Sequence, residues 1–226
     1  MSQRPYVLLS VATSVDGYID DISPGRLLLS NAADLDRVDQ VRAESDAVVI
    51  GASTVRADDP RMIVKSERRR AERLARALPE YPLKVTVTRS GVLGSGLRWF
   101  HHGGEKIVYT VDGAAETLTE QLDGLAEVVP LGPEIDFKAL LDDLSARGVG
   151  QLMVEGGEQI HTAFLSQGLV DEIQLAVAPL LVGAGPRFLA PTRYPWPSTR
   201  RMRLGETRTI GDVVLLRYHP KQDSAA

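Results

Sequence analysis

The sequence predicts an α/β fold with a mostly parallel central sheet flanked by helices and antiparallel C-terminal strands. Three observations predict it. Short branched apolar runs alternate with segments of helical spacing as far as Leu165, and parallel neighbours require helical crossovers of that kind. After Asp171 the pattern turns to strands alone. The 226 residues, 43% hydrophobic and 25% charged, suffice for a full core, and no proline- or serine-rich linker interrupts them. A single domain over residues 1–220 is therefore expected, with residues 221–226 a disordered tail.

Tyr6 to Ala12 (YVLLSVA) reads as a buried strand that ends in the polar turn Thr13-Ser14-Val15-Asp16-Gly17. Asn31 supplies a helix cap, and Leu35, Val38 and Val41 follow at helical spacing through Arg42. Asp46 to Gly51 (DAVVIG) is a second buried strand, and the stretch GASTVRADDP after it is polar, begun by Gly and stopped by Pro. Lys65 to Leu78 carries six cations against Glu67 and Glu72, with Leu74, Ala75 and Leu78 as its only apolar side, which predicts a solvated surface helix. Leu83 to Thr88 and Lys106 to Thr110 are strands on either side of a long glycine-marked loop. Thr117 to Leu125 is expected helical and Glu127 to Leu131 a short strand. Phe137 to Arg147 is a helix with Leu140, Leu141 and Leu144 in one stripe, closed by Gly148. Gln151 to Val154 is a strand, Glu155-Gly156-Gly157 a turn, and Glu158 to Leu165 a helix. Strands at EIQLAVAPLLV (from Glu172), Arg201 to Thr209 and Asp212 to Tyr218 complete the chain, the last two joined at Ile210-Gly211.

Composition removes several function classes. Twenty-six Lys plus Arg against 30 Asp plus Glu give a net charge of −4, so neither a nucleic acid nor an anionic membrane is expected as partner. The absence of cysteine excludes disulfides, thiolate nucleophiles and thiolate-bound metal. No apolar run reaches about 18 residues and the N-terminus lacks a signal-peptide pattern, so the cytoplasm is the expected compartment. The histidines, His101, His102, His161 and His219, show no metal-ligand spacing and no metal is expected; His161 is read as facing solvent. Dinucleotide G-x-G-x-x-G, phosphate-loop and G-x-S-x-G signatures are all missing.

In an open α/β sheet, ligands bind beyond the carboxyl ends of the parallel strands. Three such ends are polar: Thr13 to Gly17, Gly51 to Thr54 with Asp58-Asp59-Pro60, and Glu155 to Gln159. All three are expected at one rim. Gly156-Gly157 before a helix lets a phosphate approach backbone amides, or else serves a turn that needs glycine for its φ alone. Glu155 binds amino or hydroxyl groups of a ligand, or faces water as a strand-end carboxylate. Asp58 and Asp59 bind a metal or a ligand, or with Pro60 make a turn and helix stop. Arg42 closes a helix, where the dipole favours a cation in any case, and Lys65 is a phosphate contact or a solvated charge.

Taken together, Pro5 to Gly17 (PYVLLSVATSVDG), Val41 to Val64 (VRAESDAVVIGASTVRADDPRMIV), Val154 to Gly185 (VEGGEQIHTAFLSQGLVDEIQLAVAPLLVGAG) and Gly211 to Tyr218 (GDVVLLRY) resemble the reductase domain of riboflavin biosynthesis. That family is a branch of the dihydrofolate reductase-like fold, and the likeness spans nearly the whole chain. It implies an NADPH-dependent reductase that converts the ribosyl group of an amino-ribosylamino-pyrimidine 5′-phosphate to ribityl, by hydride transfer to C1′ of the ring-opened imine. It implies cofactor contacts at Ala12, Thr54, Asp58, Gly156, Gly157, Glu158, Gln159 and Ile160. It implies substrate contacts at Arg42, Met62, Lys65 and Glu155, with the two cations toward the 5′-phosphate. Asp58, Glu155 and water all stand as proton donors, and both 2-amino and 2-oxo pyrimidines fit.

The chain departs from the family at Ser10, where a Lys is common, and at Leu28, where an aromatic is common. Arg89 and Ser90 are the residues placed to meet a 2′-phosphate. No zinc deaminase domain precedes, so a stand-alone form is expected, and the basic segment from Lys65 to Arg76 reads as an insertion without catalytic duty. The alternatives are a reductase of a pterin or another heterocycle on the same fold, and a non-catalytic nucleotide-binding relative. The apolar strands EIQLAVAPLLV and DVVLLRY are expected to be edges covered in a homodimer, which the resemblance also implies.

Overall fold

A computed structural model describes residues 4–25 and 27–220; the expected tail at 221–226 lies outside the described residues. The elements run β1 (Tyr6–Ser14), α1 (Ala32–Glu44), β2 (Ala47–Gly51), α2 (Ala52–Asp58), α3 (Glu67–Ala75), β3 (Leu83–Thr88), α4 (Arg98–His101), β4 (Lys106–Thr110) and α5 (Asp112–Gln121). They continue with β5 (Glu127–Pro130), α6 (Phe137–Ala146), β6 (Gln151–Gly156), α7 (Glu158–Ser166), β7 (Glu172–Ala178), β8 (Arg203–Ile210) and β9 (Val213–His219). The sheet order is β5-β4-β3-β2-β6-β1-β7-β9-β8. The chain divides into two compact units, one of Met1–Pro5 and Asp39–Met153, the other of Tyr6–Val38 and Val154–Ala226.

In the first unit, β2, β3, β4 and β5 pair in parallel, with Val49 opposite Val85 and Val85 opposite Ile107. The strands β2 and β3 are buried on both faces, as parallel strands covered by helices must be. The helix α6 begins where Asp136 accepts the amides of Lys138 and Ala139, and it buries Leu140, Leu141 and Leu144, the stripe read from the sequence. In the second unit, β1 runs parallel to β7 from Leu8 opposite Glu172 to Ser14 opposite Ala178. The strand β9 is antiparallel to both β7 and β8. Asn31 caps α1 as expected, its Oδ1 accepting the Asp34 amide at 2.9 Å.

The polar stretch after β2 is a helix, α2, because Ala52 and Val55, three residues apart, both find the core and Asp59 can end the turn in a left-handed conformation. Two expectations are corrected. The helix α3 is turned inside out. Its arginines Arg69 and Arg73 are buried, while Leu74 is 57% exposed, because backbone and side-chain acceptors on α1 and the loops beside it meet the guanidinium groups. The strands β7 and β9 are not edges: each has a neighbour on both sides, and the edges are β5 and β8.

Candidate active site

In the unit of residues 39–153, Thr54 sits half-buried on α2 and Asp58 is that helix's last residue. Asp59 is structural. It takes φ +39, and its carboxylate accepts the Trp99 amide at 3.3 Å and Arg98 Nε at 3.2 Å. The segment that follows is fastened step by step. The Arg61 carbonyl accepts from Lys84 Nζ at 2.9 Å, and Ile63 from Arg42 at 3.4 Å. The Val64 and Lys65 carbonyls accept from Arg70 at 3.1 and 2.8 Å. Asp39 accepts the Lys65 and Ser66 amides at 2.5 and 3.2 Å and also pairs with Arg69 at 2.9 Å. Arg42, on α1, thus reaches the segment that carries Met62 and Lys65. Met62 is buried with φ +45, whereas Lys65 is exposed. A cation on α1 and one on the fixed segment are the charges a phosphate would need there.

Lys84, one residue into β3, is fully buried, and burial pushes its pKa down to about 7, with Lys106 and Arg42 acting in the same direction and Asp59 against it. Sequence reasoning missed it, since LKVTVT gives an alternating strand a solvent-facing lysine there. Asp39 was missed for lack of any local signal; its partners lie 26 to 30 positions away. Arg89 and Ser90 are exposed beyond β3.

In the other unit, the polar end of β1 is stapled to the segment after β7. The Ser14 hydroxyl donates to Asp16 at 2.6 Å, and Asp16 accepts the amides of Val182 and Gly183. The Ser14 hydrogen bond, helped by those amides, holds the Asp16 pKa down to about 2. Ala12 lies opposite Ala176 and packs against Ala176, Val213 and Leu215, so its methyl group belongs to the core. Ser10 is buried and Leu28 exposed.

Glu155 is half-buried near the end of β6, and Gly156 ends the strand at φ +134. The Gly156–Gly157 peptide is cis, and Gly157, at φ −81 and ψ −159, occupies extended backbone open to any residue. The helix α7 starts at Glu158 with no side-chain cap, and its first intrahelical bond runs from the His161 amide to the Gly157 carbonyl. The amides of Glu158, Gln159 and Ile160 therefore precede the helical ladder and point out of the helix end. The Ile160 side chain is buried, which leaves its backbone as the group able to meet a ligand. The Glu158 carboxylate is turned to the Arg187 amide at 2.8 Å.

His161 does not face solvent. It is 1% exposed, lies beneath Gly156 and meets the Phe188 ring edge-on at 5.3 Å between centroids. Neither ring nitrogen has a hydrogen-bond partner among the described residues. Burial lowers its pKa to about 4, weakly opposed by the Phe188 backbone. The spacing Ile160, His161, Phe164, Leu165 was the available signal, because it is the buried face of α7. Among the described residues, no three His, Asp or Glu side chains group to hold a metal, and no helix is long and apolar enough to cross a membrane.

This sheet, with a glycine turn leading into an uncapped helix, is a dihydrofolate reductase-like α/β domain. The chain belongs to the RibD C-terminal domain family, whose model matches residues 5–216. It is 39% identical over 181 residues to a 2,5-diamino-6-ribosylamino-4(3H)-pyrimidinone 5′-phosphate reductase of Archaeoglobus fulgidus, covering 80% of this chain and 83% of that one. A Methanothermobacter thermautotrophicus protein of the same name is 34% identical, with 96% and 99% covered. Among solved structures, RibD of Acinetobacter baumannii is similar with a TM-score of 0.78 at 27% identity, over 97% of this chain and 59% of that one.

Proposed function

We propose that this chain reduces 2,5-diamino-6-ribosylamino-4(3H)-pyrimidinone 5′-phosphate, turning its ribosyl group into ribityl, with NADPH as the reductant, and that it works as a cytoplasmic homodimer. The observation that carries the reading is the uncapped first turn of α7 directly behind Gly157, in a chain of this family. Three outward amides and the positive end of the helix dipole fit a phosphate of the dinucleotide. The residues present therefore fit the cofactor, and Gly156 to Ile160 would hold it, with Ala12, Thr54 and Asp58 as further contacts. NADPH, when bound, supplies a hydride to C1′ of the ring-opened imine.

The chain's own residues supply position and protons. Arg42 and Lys65 hold the 5′-phosphate beside Met62. Glu155 meets the polar groups near the reacting carbon, and Glu155 and Asp58 are the carboxyl groups for moving the proton that accompanies hydride. Steady-state assays with NADPH check this directly. Turnover of the pyrimidine phosphate and not of dihydrofolate is expected, and the reverse result overturns the reading. Glu155→Gln lowers kcat by about a hundredfold while NADPH affinity stays within about twofold. An unchanged kcat removes Glu155 from the chemistry.

A further inference from the structure

We infer that Lys84 is a positioning residue for the pyrimidine phosphate, because its buried ammonium fixes the Arg61–Met62 peptide and with it the segment that presents Met62 and Lys65. The inference rests on the reading above, which assigns that segment to the substrate. Lys84 is fully buried and its Nζ lies 4.7 Å from the centre of the Trp99 ring. Its three N–H groups donate to three backbone carbonyls: Arg61 at 2.9 Å, His102 at 3.0 Å, and Trp99. An ammonium has three donors, so all are used. Two of the carbonyls belong to α4 and the residue after it, and the third to Arg61. Lys84 therefore clips residue 61 to α4, while Asp59 clips residue 59 to the same helix through the Trp99 amide.

The clip at Arg61 acts on the next residue. Met62 has φ +45, a conformation that a side chain disfavours, and it is 6% exposed. The Arg61 carbonyl is part of the peptide whose rotation sets that φ. With the carbonyl held, Met62 stays inward; released, the peptide is free to turn toward an ordinary negative φ and displace Met62. At the far end Asp39 holds the Lys65 and Ser66 amides, so Arg61 to Lys65 is a short span between two fixed points. Packing tightens the arrangement: a Cβ on Gly103 would come within 3.2 Å of Lys84 Cδ and 3.4 Å of Ile63 Cγ2.

A purely structural lysine affects unfolding, whereas a positioning lysine affects the substrate's KM in protein that remains folded. In Lys84→Met the KM for the pyrimidine phosphate should rise about tenfold or more, with kcat within about threefold and NADPH affinity within about twofold. Hydrogen exchange should quicken at residues 59–65. Should Lys84→Met not fold, Lys84→Gln takes its place, since its amide keeps two donors, and a KM rise of several-fold is expected. A KM unchanged in folded variant, or KM and NADPH affinity moving together, overturns the positioning role. A wild-type chain that leaves the pyrimidine phosphate untouched overturns the functional reading instead.

Discussion

Gly156 and Gly157 are the same residue twice and have different reasons to be glycine. At Gly156 the backbone demands it: φ is +134, and a Cβ would stand 3.3 Å from the His161 ring. Gly156→Ala should cost about 1–3 kcal/mol in thermal or urea unfolding, as strained positions do. At Gly157 the backbone accepts any side chain, which favours the close approach of a ligand as the reason for glycine there. Gly157→Val should weaken NADPH binding by about a hundredfold or more, measured by fluorescence titration, and normal binding would place the phosphate elsewhere. The sequence displayed the pair but not this division, because φ is set by how β6 hands over to α7. His161 adds a pH dependence. Its folded-state pKa, about 4, lies below the 6.5 of the unfolded chain. Between these values the unfolded chain holds a proton that the folded one lacks, so stability is present above pH 6.5 and is lost as pH falls toward 4. The loss amounts to about 3 kcal/mol. His161→Leu should lose that much less than wild type when urea midpoints at pH 7 and 4 are compared; equal losses would show that His161 protonates without penalty.

At the scale of elements, α3 shows what patterning conveys and what it does not. A helix was legible from Lys65 to Leu78, but its inward face was read as Leu74, Ala75 and Leu78. The inward groups are Arg73, which donates to the carbonyls of Ala43, Ser45 and Pro79, and Arg69, which pairs with Asp39 and Gln40. All of those acceptors but Pro79 come from distant sequence, so periodicity within the segment cannot reveal them. The consequence is a sharp contrast between neighbours. Arg69→Ala leaves the Asp39 carboxylate buried and short of its cation, and should destabilise by about 3 kcal/mol. Arg68 pairs with Glu72 in the open, and Arg68→Ala should cost no more than about 0.5 kcal/mol. Chemical denaturation of both variants checks the contrast, and similar costs would refute it. The strands β3 and β4 were legible residue for residue because branched residues between turn signals mark them, by alternation in LKVTVT and by an apolar run in KIVYT. The bounds of α2 were marked, a Gly before it and Asp-Asp-Pro after it, but not the helix itself, because only Ala52 and Val55 of its residues are buried and so leave little periodicity.

For the whole molecule, the order of elements was enough to read a mostly parallel α/β fold ending in antiparallel strands, since crossover helices leave a rhythm that composition alone lacks. The order of strands was not, because nothing local states that β1 pairs with β7 across more than 150 residues. That gap bears on assembly. The apolar strands β7 and β9 are expected from sequence to be open edges, yet the sheet covers both; its edges are β5 and β8, and β8 is largely exposed along its length. Leu204 on β8 is 52% exposed and Val214 on β9 38%. An edge of eight residues with a row of unpaired backbone groups is a template for a second strand, and a two-fold pairing of β8 with its own copy would close it. Light scattering at micromolar concentration should then give twice 24.6 kDa, and Leu204→Lys should shift the mass toward the single chain by adding like charges across the two-fold. A wild-type mass of 24.6 kDa rejects the dimer; a dimer indifferent to Leu204→Lys moves the interface away from β8.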